Sequence, residues 1–73
     1  MNISCYLRDE KQLFRIVMAL REAGFSDEYE EEAHGETLLL TVHTRTVDQR
    51  VRVREILRSE GISELIYNED AVA

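Results

Sequence analysis

The sequence predicts a single α+β domain in which a strand–helix–strand unit occurs twice. Three observations predict it. Apolar residues alternate at the start and in the middle of the chain, two helical segments carry matching start and stop signals, and an offset of 37 residues superposes those signals.

Residues 2–7 alternate, with Ile3, Cys5 and Leu7 on one side, which is the two-residue period of a strand. Asp9 then opens a helix. Its short carboxylate can accept a free N–H of the first turn, and Gln12 stands three residues on, as in a capping box. Leu13, Ile16, Val17 and Leu20 follow at helical spacing. Gly24 can adopt the left-handed conformation that ends a helix, and Phe25 behind it can pack back on the last turn. Residues 25–33 predict a weaker strand, with Phe25 and Tyr29 in register but five acids among residues 27–32. Gly35 marks a hairpin turn. Thr37–His43 is the strongest strand, with Leu38, Leu40 and Val42 on one face and Leu39, Thr41 and His43 on the other. Thr46, again with Gln49 three residues later, opens a second helix that Gly61 ends, followed by Ile62. Residues 62–68 predict a last strand. The domain is expected to span 1–68, with 69–73 a frayed tail.

At the offset of 37, Arg8 meets Arg45, Gln12 meets Gln49, Arg15 meets Arg52, Leu20-Arg21 meets Leu57-Arg58 and Gly24 meets Gly61. Ser26 meets Ser63 and Glu32 meets Glu69. Two such units give βαββαβ, the ferredoxin-like arrangement. Right-handed crossovers would place both helices on one face of a four-stranded antiparallel sheet in the order 4-1-3-2. The acid-loaded second strand suits an edge, where charge discourages pairing with another chain. The expected core is Ile3, Cys5, Leu7, Leu13, Val17, Leu20, Phe25, Leu38, Leu40, Val42, Val53, Leu57, Ile62 and Ile66. One segment competes: Val51-Arg-Val53-Arg alternates like a strand, and Arg50 and Arg54 fall near the middle of the expected apolar helix face. The alternative there is an extra strand. Cap, stop and Ile56-Leu57 favour the helix, in which arginine stems can cover apolar surface.

Composition excludes more than it selects. A chain of 73 residues allows one domain. Apolar residues at 44% are too many for a disordered chain. The net charge of −6 argues against nucleic acid and anionic membrane as partners. A single cysteine, Cys5, excludes an internal disulfide and a thiolate-only metal cage, and a reducing cytoplasm is the expected location. No stretch reaches the apolar length of a membrane span, and the first residues do not read as a signal peptide.

No catalytic residue, metal site or cofactor is expected. His34 beside the turn reads as a solvated loop residue, and His43 ends a central strand on the open face. Cys5 alternates onto the helix side, so it reads as a buried core residue. Cys5 and His43 point to opposite faces and cannot share a metal. The acidic run lacks the spacing of a calcium loop, and Gly24, Gly35 and Gly61 stand alone rather than forming a phosphate cradle.

Helices on one face leave the other bare. By alternation that face carries Ser4, Tyr6, Leu39, Thr41, His43, Leu65 and Tyr67, with Glu30 at the acidic edge. Tyr6, Leu39, His43, Leu65 and Tyr67 are the expected interface residues of a homodimer formed through the open face or the fourth-strand edge. Other expected partners are a heterologous protein or a small metabolite bound at the face or the dimer seam. Charge is also uneven. Residues 45–58 hold Arg45, Arg50, Arg52, Arg54 and Arg58 against Asp48 and Glu55, a local +3. Residues 27–32 hold five acids and no base; both stretches read first as a solvated face with local helix pairs, and otherwise as complementary ends that dock head to tail or steer an asymmetric partner.

Thr37-Leu-Leu-Leu-Thr-Val-His-Thr, then Arg54-Glu-Ile-Leu-Arg-Ser-Glu-Gly-Ile, resembles the closing segment of the general stress protein 17M (YflT-like) family. Leu20-Arg-Glu-Ala-Gly-Phe-Ser-Asp-Glu28 is similar to the first helix and turn of those proteins. The glycine-rich middle of that family is absent here, and arginines replace small residues in the second helix. The resemblance implies a small bacterial protein, stress-associated, with no established catalytic residues.

Overall fold

A computed structural model describes residues 1–25 and 28–68. The expected tail 69–73 lies outside the described residues, as do Asp27 of the acidic run and the repeat partners Ser26 and Glu69. Six elements follow in order: β1 (Asn2–Leu7), α1 (Glu10–Glu22), β2 (Tyr29–His34), β3 (Thr37–His43), α2 (Val47–Ser59) and β4 (Ile66–Asn68). They form a mixed α+β fold with one open, four-stranded antiparallel sheet, ordered β2-β3-β1-β4. From the other edge this order is β4-β1-β3-β2.

Both helices start and stop by the same chemistry. Asp9 Oδ1 accepts the Gln12 N–H at 2.9 Å, and Thr46 Oγ1 accepts the Gln49 N–H at 3.1 Å. Gln12 and Gln49 reach back in turn: their Oε1 atoms accept the Arg8 and Arg45 N–H groups at 2.9 and 2.7 Å. At the far ends Gly24 and Gly61 take φ of +97° and +85°, a region open to glycine at no steric penalty. That turn returns the Phe25 N–H to the Leu20 carbonyl at 2.8 Å and the Ile62 N–H to the Leu57 carbonyl at 3.0 Å. Each helix therefore closes in a Schellman motif whose trailing hydrophobe is buried. The helix bounds differ by 37 residues at both ends, so the repeat extends to geometry.

Three details of the sequence reading are corrected. Phe25 is not in a strand, because its N–H belongs to the helix cap; β2 begins at Tyr29 and runs through His34, which pairs with Thr37 across a two-residue turn. His34 thus ends a strand rather than lying in a loop. Residues 62–65 lie outside any strand, because Ile62 is spent on the second cap, and β4 keeps three residues. The segment with alternating arginines needs no such correction: it is helical throughout Val47–Ser59, as its cap and stop favour, and the alternative of an extra strand falls away. With Val53 and Leu57 setting the buried face, Arg54 turns to solvent.

The core lies between the sheet and both helices. Ile3, Cys5 and Leu7 of β1 and Leu40 and Val42 of β3 meet Ile16 and Leu20 of α1 and Val53 and Leu57 of α2. Phe25 and Ile62 close the two ends. Ile16, at the centre, replaces Val17, which is only half-buried, while Leu13 and Leu38 sit at the margin. Ile66 is not a core residue.

Candidate functional site

Ladder register decides which side chains share the uncovered face, because directly opposed residues project to the same side. Asn2 pairs with His43, Ser4 with Thr41 and Tyr6 with Leu39. Glu30 and Glu32 join through Thr41 and Leu39, and Ile66 and Asn68 join through Ser4 and Asn2. Tyr6, Leu39 and His43 therefore stand on the open face, as the alternation predicts.

Leu65 and Tyr67 do not. Tyr67 pairs with Ile3, which faces the helices, and Leu65 packs against the core. The reason is the second helix cap. Once Ile62 turns inward to close α2, the strand restarts in the other phase, and a one-residue slip moves every side chain to the opposite face. Ile66 takes the open-face position instead. It is 41% exposed, beside Tyr6 at 53%.

This face has an apolar part and a polar part. Tyr6, Leu39 and Ile66 form a strip near the end of β1. Beside it, Ser4 Oγ and Thr41 Oγ1 share a hydrogen bond of 2.9 Å, and both neighbours of Ser4 across the sheet are larger, which sinks it out of solvent. At the other end His43 bridges three strands. Its Nδ1 lies 2.7 Å from Asn2 Oδ1 on β1, and its Nε2 lies 3.4 Å from Glu30 Oε2 on β2. An amide oxygen only accepts, so Nδ1 carries its proton toward Asn2. With Nδ1 turned to Asn2, the Glu30 contact is an attraction only when Nε2 is protonated as well, and its solvent exposure limits it to at most about 1 kcal/mol. The Ser4–Thr41 hydroxyl pair is mutually bonded and His43 is tied to Asn2 and Glu30, so these contacts order the face across three strands.

Among the described residues two concavities beside the sheet stand out, and His43 lines neither. The larger, of about 580 Å³, lies where β1 enters α1 and α2 leaves for β4. Tyr6 and Ile66 form its apolar wall, continuous with the open face, and Arg8, Lys11 and Arg15 form the basic one. Arg15 Nε is held by Glu60 Oε1 at 2.9 Å, whereas Arg8 and Lys11 form no ion pair with any described carboxylate. The smaller, of about 320 Å³, lies between α1 and β2, lined by Glu10, Leu13, Phe14, Val17, Glu31 and Leu38. Phe14, 67% exposed, went unremarked in the sequence reading. Its four-residue spacing to Met18, beside the Ile16–Leu20 core pair, is the signal of a second apolar flank on α1.

Cys5 is fully enclosed, and burial pushes its thiol up to about 11. A thiol so placed is unreactive at neutral pH. Among the described residues no group of three or more His, Cys, Asp or Glu is placed to hold a metal ion, and no helix is long and apolar enough to cross a membrane. Comparison with protein-family models, curated proteins and solved structures found no match to this chain.

Proposed function

We propose that the chain is a ferredoxin-like, non-catalytic interaction module that self-associates as a homodimer through its open sheet face. The observation that carries the reading is the strip of Tyr6, Leu39 and Ile66, apolar and uncovered by either helix, with His43 beside it. The free edge of β4 extends the same surface. A four-stranded face about 19 Å wide and about 20 Å long is small for an obligate interface. Association is therefore expected to be transient and concentration-dependent. A bacterial, stress-associated setting is the context that the 17M resemblance suggests for such a module, and the single cysteine suggests the cytoplasm.

Light scattering after size exclusion, across micromolar concentrations, tests this. A mass rising toward twice 8.5 kDa is expected, and Tyr6→Glu or Ile66→Glu should return it to the monomer. A dimer indifferent to both changes would sink the reading.

The larger groove favours a second reading, a regulatory domain for a small metabolite. Arg8 and Lys11 supply charge that no described carboxylate pairs, and Tyr6 and Ile66 supply an apolar wall. A ligand that binds only the folded chain adds about 2.7 kcal/mol of stability at a hundredfold over its dissociation constant. A melting-temperature screen with amino acids and nucleotides at millimolar concentration would register that. Shifts lost in Arg8→Ala would favour this reading over the dimer, and a flat panel would remove it for the compounds tried.

A further inference from the structure

Two surfaces outside the open face complement each other, and they cannot meet within one molecule. The first is a ridge along α2. Val47, Val51, Arg54 and Arg58 recur at four-, three- and four-residue intervals, which places them on one side of the helix. All four are exposed, Val47 by 63%. Neither Arg54 nor Arg58 forms an ion pair with any described carboxylate. Arg50, Arg54 and Arg58 also stand four residues apart, where like charges repel, so the isolated helix gains nothing from them.

The second surface is the groove between α1 and β2. Phe14, Leu13, Val17 and Leu38 make its floor apolar, and Glu10 and Glu31 stand on its two walls. Glu31 is the acid that β2 turns to this side, opposite the buried Leu40, while Glu30 and Glu32 project to the open face. Its open length along α1, from Glu10 to Val17, is about 10 Å. Val47 to Arg54, two turns of helix, covers that distance, and Arg58 stands one turn beyond it, within reach of the groove's end by its long side chain.

The groove belongs to the β2 edge, whereas α2 delivers the chain to β4, the opposite edge. We infer that the α2 ridge of one copy docks in the α1–β2 groove of a second copy, Val47 and Val51 on the apolar floor and Arg54 and Arg58 against Glu10 and Glu31. This is helix-in-groove recognition, with apolar anchors at helical spacing and charge setting the partner. The contact is heterologous, so it builds rings or open chains rather than closing as a pair. It is distinct from the open-face contact and does not depend on it.

Full-length chains reversed on one surface at a time provide the test. One variant carries Arg54→Glu and Arg58→Glu, the other Glu10→Lys and Glu31→Lys, each checked for a cooperative thermal melt. Wild type should show masses above a dimer at low salt that fall in 1 M NaCl, where the screening length is about 3 Å. Each reversed variant should lose that species, with association weakened about tenfold or more. An equimolar mixture of the two should recover it, since reversed ridge then meets reversed groove. Phe14→Ala should weaken assembly without charge change, and Tyr6→Glu should leave the salt-sensitive step intact. Wild-type mass that never exceeds a dimer up to about 1 mM would overturn the inference and leave the ridge to an acidic partner of another chain. So would reversed variants that assemble unaided, a mixture that fails to recover, or loss of all assembly in Tyr6→Glu; the last result would leave the open-face dimer standing.

Discussion

Leu57→Ala is expected to destabilise the fold by about 2–5 kcal/mol, the usual consequence of emptying a buried leucine site. Leu57 has no exposed surface, and it shares the core with Ile3, Leu40 and Val53. A chain of 73 residues at typical stability per residue holds only about 4–11 kcal/mol in total. The loss therefore removes a large part of what keeps the domain folded. Urea titration should show the midpoint dropping steeply at unchanged slope. Leu20→Ala should behave alike, because Leu20 stands at the equivalent position of the repeat, equally buried, with its carbonyl accepting the equivalent cap bond. A loss below about 1 kcal/mol at either leucine would mean that the helices are not anchored where the core places them.

Raising the pH should weaken the domain through Cys5. Burial lifts the thiol from 9.0 to about 11 in the folded chain. The unfolded chain binds fewer protons between those values, so stability falls as pH rises. The contribution is fully present below about pH 8.5 and lost as pH passes 11, a change of about 2–3 kcal/mol. Tyrosines and lysines titrate in the same range, so the informative quantity is a difference. Unfolding free energy measured at pH 8 and pH 11 should drop more in wild type than in Cys5→Ala. Equal drops would show that the thiol is not held neutral by the core.

Local chemistry made most of the fold legible. Asp9 with Gln12, Thr46 with Gln49, and the two glycines mark helix ends by hydrogen-bonding groups that sit within three or four residues of each other. The alternation of β1 and β3 marks their buried face for the same reason: period alone assigns it. β4 was legible as a segment but not in phase. Its register follows from how much chain the α2 cap consumes and from pairing with β1, and neither is local. That single non-local fact moved Leu65 and Tyr67 off the open face and brought Ile66 onto it. Phe14 was missed because α1 already had an apolar face to explain its pattern. Only the packed positions of β2 and Leu38 make its flank a groove.

The interleaving of the two repeat units has a consequence for how the chain folds. β1 pairs with β3 and β4, and β2 pairs with β3. Every ladder joins a strand of the first unit to a strand of the second, and no strand pairs within its own unit. Neither unit can build any part of the sheet alone, so half a domain has nowhere to rest as a partly folded state. Unfolding should be all-or-none, and a chain severed at the Gly35 turn should fold only when its two pieces find each other.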